Sequence, residues 1–175
     1  MQEEEIVRRA RLGDKQALEA LLYNNYKIVY GYLLKLTMNE DLARDLTQDV
    51  MVKAITRINT FSGKGKFSTW LVSIASNAYK DNLRRNKKLS NVEFETMEVQ
   101  SSCNVEETVL QKDEISKIKK VLLDIPAKKR EVFILKHYYN FSYEDIAKIL
   151  KCPIGTVKSR LYYCVRKLRQ FLELF

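Results

Sequence analysis

Proline and glycine are scarce in this chain, with two prolines and five glycines in 175 residues. So few backbone breaks favour helices, and no strand-type alternation of apolar and polar residues is present. Histidine occurs once, as His137, and the three cysteines, Cys103, Cys152 and Cys164, form neither a CxxC pair nor a Cys/His cluster. That pattern argues against a zinc site or a disulfide framework and fits a reducing cytoplasm. The chain has no P-loop, no carboxylate cluster at metal-binding spacing and no nucleophile–histidine–acid set, so no enzymatic activity, cofactor or metal is expected. No apolar run approaches the roughly 18 residues that a membrane span needs. The opening MQEEEIVRRARLGD lacks the basic-then-apolar order of a secretory signal.

What is present is charge, unevenly distributed. The chain is 46% hydrophobic and 30% charged, with a formal net charge of +9, a globular rather than a disordered balance. Residues 1–92 and 115–175 are net basic, whereas 93–114 are net acidic. Two basic lobes suggest a polyanionic partner, with ordinary solubility charge as the alternative. The length suits one domain or two small ones. Helical spacing predicts helices over residues 3–12, 15–36, 40–58 and 68 to about 85. In the helix from Glu40, Leu42, Leu46, Val50 and Ala54 recur at i+4, with Ile55 and Ile58 continuing the buried side. Residues 86–110 lose that periodicity and read as a linker. Helices resume near Lys112, with breaks at Ile125–Pro126, Asn140–Phe141 and Cys152–Pro153.

The most informative segment is Ser142–Leu168, SYEDIAKILKCPIGTVKSRLYYCVRKL. Ser142 with Asp145 three residues on forms a capping-box-like start, and Pro153 suits the first turn of a second helix. Ile146, Ala147 and Leu150 face inward, as do Val157, Leu161, Val165, Leu168 and Leu172. Thr156, Lys158, Ser159, Arg160, Tyr162 and Tyr163 are then left near the exposed start of the second helix. A basic, hydroxyl-bearing helix after a tight turn is a helix-turn-helix suited to a DNA major groove. The alternative is an amphipathic helix pair with a solvated basic face.

Two further groupings precede it. The outward face of 40–58 presents Asp41, Asp45, Gln48, Asp49 and Val52, an acidic and amide stripe on a basic lobe. Such a stripe suits a basic protein surface rather than DNA, or is a plain solvated face. In 61–88, Phe61 and Phe67 flank Ser62, Gly63 and Lys64 in a Gly-Lys-Gly-Lys loop, followed by Trp70. Ser73, Asn77, Lys80, Asp81 and Arg84 line one helix face beyond it, and Arg85 extends the charge. Aromatics among cations and amides suit unpaired bases, and a glycine loop can shape a pocket for an extruded base. The competing reading buries Phe67 and Trp70 in the core.

Taken in order, DLTQDVMVKA (45–54), FSGKGKFSTWLVSIASNAYKDNLRR (61–85), IPAKKREVFIL (125–135) and SYEDIAKILKCPIGTVKSRL (142–161) resemble bacterial extracytoplasmic-function sigma factors of the sigma-70 family. The resemblance implies an all-α fold of two small helical domains joined by a flexible acidic linker, the C-terminal one a helix-turn-helix. The domains would be 1–90, binding core polymerase and opening the minus-10 element, and 112–175, reading the minus-35 element, with 91–111 as linker.

By position, the resemblance makes Asp45, Gln48, Asp49 and Val52 the contact with the clamp helices of the largest RNA polymerase subunit. Phe61, Ser62, Gly63, Lys64, Phe67 and Asn77 would read single-stranded minus-10 DNA and capture a flipped base, while Lys80, Arg84 and Arg85 hold backbone. Thr156, Lys158, Ser159, Arg160, Tyr162 and Tyr163 would contact duplex minus-35 DNA. It also implies regulation by an anti-sigma factor, commonly membrane-bound. The chain departs from the family at Tyr163-Cys164-Val165, where Arg-Ala-Arg is frequent, and at Met51, where an aromatic is common. The expected function is an alternative sigma factor acting in the cytoplasm. The rival readings are a stand-alone dimeric helix-turn-helix regulator, to which the acidic stripe and glycine loop offer nothing, and a protein-interaction adaptor without a DNA role.

Overall fold

Polar side chains at the helix starts set the boundaries of the fold. Asp14 accepts the Ala17 N–H at 3.1 Å, Asn39 accepts that of Leu42 at 2.9 Å, and Ser142 accepts that of Asp145 at 3.0 Å. Each satisfies one of the N–H groups that a helix N-terminus leaves orphaned. The Ala17 bond, followed by the Arg9 guanidinium, holds the Asp14 carboxyl below the usual aspartate range. The structure, a computed structural model, describes residues 2–90 and 121–172, and the chain divides into two compact units. The expected acidic linker lies outside the described residues. The described residues contain helices and turns and no strand.

The N-terminal unit contains α1 (Gln2–Arg11), α2 (Lys15–Thr37), α3 (Glu40–Arg57), a 3-10 turn (Ile58–Thr60) and α4 (Phe67–Ser90). Helices α2, α3 and α4 pack mutually, and α1 lies against α2 and the 3-10 turn. The core is one stripe from each helix: Val29, Tyr32, Leu33 and Leu36 of α2; Leu46, Val50 and Ala54 of α3; Phe67, Leu71, Val72 and Ala75 of α4. Each large apolar side chain so buried contributes about 1.5–3 kcal/mol. Thr47 joins this core because its hydroxyl donates to the Ala43 carbonyl at 2.6 Å, which matches its own polar atom. Ile55, expected on the buried side, is 49% exposed. It stands one residue past Ala54, and a 100° step turns it off the buried stripe. Helix α4 also runs past the expected end near Arg85 to Ser90. The polar run after Arg85 reads as linker by composition, yet its lysines and leucine are good helix formers.

In the C-terminal unit residues 121–124 are helical, followed by α5 (Ala127–His137), α6 (Tyr143–Leu150) and α7 (Ile154–Leu172). Helix α7 packs on both α5 and α6. Buried Arg130 donates to the carbonyls of Leu122 at 3.1 Å and Leu123 at 3.3 Å, closing the preceding helix end. The turn between α6 and α7 puts Lys151 in the left-handed region at φ 51. There the Lys151 and Cys152 N–H groups return to Lys148 and Ala147 carbonyls, a Schellman closure. Pro153 stands one residue before α7 rather than inside its first turn, and its carbonyl accepts from Thr156 and Val157 at 2.9 and 3.2 Å.

The buried line of α7 differs from the expected one. Val157 and Cys164 are fully buried, while Leu161, Val165 and Leu168 are half-buried. In α6, Ile149 is buried and Ala147 is only half-buried. Val157 and Cys164 are seven residues apart and share a face, so Cys164 is a core side chain.

The caps give a stability prediction. Asn39→Ala is expected to lower the stability of the N-terminal unit by about 1 kcal/mol. The readout is urea unfolding followed by fluorescence of Trp70, the single tryptophan in the sequence.

Candidate nucleic-acid interface and acidic face

Because the core of α3 lies along Leu46, Val50 and Ala54, its opposite side faces solvent. Asp41, Asp45, Gln48, Asp49 and Val52 are all exposed, with Val52 60% exposed. Asp41 makes a 3.7 Å ion pair with Arg44 at the surface. Among the described residues Asp45, Gln48 and Asp49 have no side-chain hydrogen bond or ion pair. Three carboxylates at successive i+4 positions repel one another, so the isolated unit gains little from this arrangement. Beside the stripe, Met51 and Ile55 join Leu18, Leu22, Tyr23 and Tyr26 of α2 around an open, mostly apolar groove of about 380 Å³. The sequence reading missed this groove because it assigned Ile55 to the core.

The glycine loop leads into α4 through a compact aromatic cluster. Phe61, Phe67 and Trp70 lie with ring centroids 5.3–5.5 Å apart. Phe61 is 4% and Phe67 0% exposed, and Trp70 is half-buried. In the chain alone both phenylalanines pack on protein and frame the loop from inside. Between them Gly63 and Gly65 adopt φ +77 and +88, backbone that side chains rarely adopt. Ser62 and Lys64 are exposed and Gly63 half-buried, and the Ser62 hydroxyl accepts the Lys64 N–H at 3.3 Å.

On α4, Asn77, Arg84 and Arg85 are exposed and Lys80 is half-buried. The Lys80 ammonium donates to buried Ser76 at 2.7 Å. Arg84 pairs with Asp81 at 3.4 Å, and Ser73 donates to the Trp70 carbonyl at 2.6 Å. Helical spacing puts Trp70, Ser73, Asn77, Lys80 and Arg84 on one side of α4. Of the three rings, Trp70 alone is half-buried rather than buried.

On α7 the residues opposite the Val157–Cys164 line form the outward face: Lys158, Ser159 and Tyr162, all exposed, with Tyr162 at 68%. Ser159 donates to the Thr156 carbonyl at 3.0 Å, leaving its oxygen lone pairs to accept from outside. Lys158 reaches within 5.8 Å of the Tyr143 ring, which Lys136 approaches at 4.9 Å. Thr156 and Arg160 are half-buried on the flank, and an Arg160 nitrogen lies 3.9 Å from the Cys152 sulfur.

Tyr163 does not join the outward set. It is half-buried, and its ring lies under the Lys129 ammonium at 3.2 Å, a cation–π contact toward α5. One turn beyond Tyr162, exposed Arg166 and then Arg169 prolong the basic face. Their spacing from Lys158 and Tyr162 was the signal that could have found them.

Among the described residues no three His, Cys, Asp or Glu side chains are placed to hold a metal, and no helix is long and apolar enough to cross a membrane.

Comparison with known proteins gives two family matches. Residues 21–89 match the family described as Sigma-70 region 2, and residues 115–168 match Sigma-70, region 4. The RNA polymerase sigma-H factor of Pseudomonas aeruginosa is 29% identical over 171 residues, 92% of this chain and 89% of that protein. The ECF RNA polymerase sigma-E factor of Haemophilus influenzae is 30% identical over 167 residues, 90% of this chain and 88% of that protein. Among solved structures, the sigma factor RpoE of Bartonella quintana, in complex with the anti-sigma factor NepR, superposes with a TM-score of 0.69 at 30% identity. That match covers 91% of this chain and 96% of the other. CnrH, in complex with the cytosolic domain of CnrY, gives a TM-score of 0.74 at 19% identity over 98% and 97% of the two chains, a likeness of fold.

Burial pushes the Cys164 thiol up to about 11, so little of it is the reactive thiolate at neutral pH. In a Cys103→Ser, Cys152→Ser protein, the single remaining thiol is expected to react with a disulfide reagent at least about a hundredfold more slowly when folded than in urea.

Proposed function

We propose a division of labour among these surfaces from one premise: the chain belongs to the extracytoplasmic-function sigma factors of the sigma-70 family, proteins that direct RNA polymerase to promoters and have no enzymatic activity of their own. An N-terminal domain over 1–90 and a C-terminal domain over 112–175 divide the work. Asp45, Gln48, Asp49 and Val52 bind the clamp helices of core RNA polymerase. The observation that carries this is an exposed same-charge stripe, without internal partners among the described residues, on a helix whose other side is core. A row of carboxylates and an amide around one apolar side chain complements a basic helical surface and steers its approach.

The loop Ser62–Lys64 and the α4 face led by Asn77 take the minus-10 element once it is single-stranded. Asn77 offers an amide that can both donate to and accept from a base edge. Arg84 and Arg85 hold phosphates nearby, and Lys80 can exchange its Ser76 bond for one. Opening costs unstacking energy of a few kcal/mol, which capture of an extruded base offsets. Lys158, Ser159 and Tyr162, with Arg166 beyond them, read the duplex minus-35 element in its major groove, while Thr156 and Arg160 reach its flanking backbone. The chain works in the cytoplasm, where the polymerase is. An anti-sigma factor, the kind of protein that accompanies the solved relative from Bartonella quintana, is its expected regulator.

Two measurements test the assignment. Asp45→Ala with Gln48→Ala is expected to weaken binding to core polymerase about tenfold or more, a loss of about 1.4 kcal/mol; unchanged affinity removes the stripe from the interface. Lys158→Ala is expected to cost about 1–3 kcal/mol of discrimination between the preferred minus-35 sequence and its single-base variants. A uniform loss over all sequences, with a shallower salt dependence, would instead make Lys158 a phosphate contact.

A further inference from the structure

We infer that α1 braces the glycine loop and that Glu3 is the positioning residue through which it does so. The inference rests on reading that loop as part of the minus-10 grip. Helix α4 starts at Phe67, directly out of the loop, and Lys66 before it carries no side-chain oxygen to cap it. The leading N–H groups of such a helix need outside acceptors. Those of Thr69 and Trp70 use the Lys66 carbonyl at 3.1 and 3.4 Å. That of Phe67 donates to Glu3 Oε1, 64 residues earlier in the chain, at 2.9 Å. The Glu3 carboxylate also faces the positive end of the α4 dipole.

The brace is anchored at its own end. Val7 and Ala10 bury one side of α1 at 4% and 2% exposure. Arg9 pairs with Asp14 at 2.6 Å across the turn into α2. Arg11, two turns along from Glu3, comes near the loop as well: its Nη1 lies 3.9 Å from where a Cβ on Gly63 would stand. Helix α1 therefore holds the exit of the loop at Phe67 by a hydrogen bond and brings Arg11 close to it at Gly63. The two positive-φ glycines between Phe61 and Phe67 make this backbone permissive, and fixing its exit at Phe67 limits the shapes it can take. Preorganisation of this kind raises affinity by removing ordering cost. The region 2 match begins at residue 21, so it gives α1 no role.

The experiment compares Glu3→Ala, which removes the acceptor, with Glu3→Gln, which keeps an amide oxygen there, in full-length protein. Amide hydrogen exchange at Phe67 reads the bond. Permanganate reactivity of the minus-10 thymines in the holoenzyme reads opening, and core-polymerase affinity is measured alongside. Glu3→Ala is expected to speed Phe67 exchange about tenfold and to lower the open fraction at least about threefold. Polymerase affinity should stay within about twofold and Glu3→Gln should restore both readouts. Unchanged Phe67 exchange overturns the brace. Faster exchange with normal opening, while Asn77→Ala still impairs opening, overturns its link to promoter melting. Normal opening in Glu3→Ala, Lys64→Ala and Asn77→Ala alike overturns the reading of the loop itself.

Discussion

The N-terminal unit depends on the burial of one side of α3. Leu46, Val50 and Ala54 fill the space between α2 and α4, and small side chains at Ala43 and Ala54 let the neighbouring helices come close. That commitment turns the other side of the same helix outward. A helix with 100° between residues cannot bury Val50 and Ala54 and also bury Asp45, Gln48, Asp49 and Val52. The position of the acidic stripe is thus a consequence of the core.

The same logic governs α7. Val157 and Cys164 are sequestered, so Ser159, Tyr162 and Arg166 are turned to solvent, while exposed Lys158 leans toward Tyr143 at the start of α6. The family departure at Tyr163-Cys164-Val165 takes on a physical meaning here. Cys164 fills a core position for which a small apolar side chain suffices, and Tyr163 is held under Lys129. The positive charge that an arginine would add at 163 or 165 is absent from those positions. Arg166 and Arg169 supply charge farther along the outward face.

The glycine loop of the N-terminal unit follows another principle. It is ordered from inside by Phe61, Phe67 and Trp70 and from outside by α1. The polar and cationic groups, Ser62, Lys64 and Asn77, remain at the surface. Aromatic residues beside a basic loop are ambiguous in a sequence, since stacking on bases and packing on protein use the same side chains. In the chain alone Phe61 and Phe67 are on the packing side, since both are buried.

Much was already determined by the sequence: the helical class, the helix start at Glu40, the cap at Ser142, the breaks at Pro126 and Pro153, the outward stripe of α3 and the outward start of α7. These follow from local hydrogen bonding and from the 3.6-residue period, both of which act within a few positions. Tertiary structure alone decided the rest. It exposed Ile55, buried Phe61 and Cys164, turned Tyr163 toward α5, and brought the carboxylate of Glu3 to the Phe67 amide. Each of these depends on which neighbouring helix lies against a residue, and on contacts such as the 64-residue return from Phe67 to Glu3. No local pattern encodes that proximity, because chain folding rather than sequence spacing creates it.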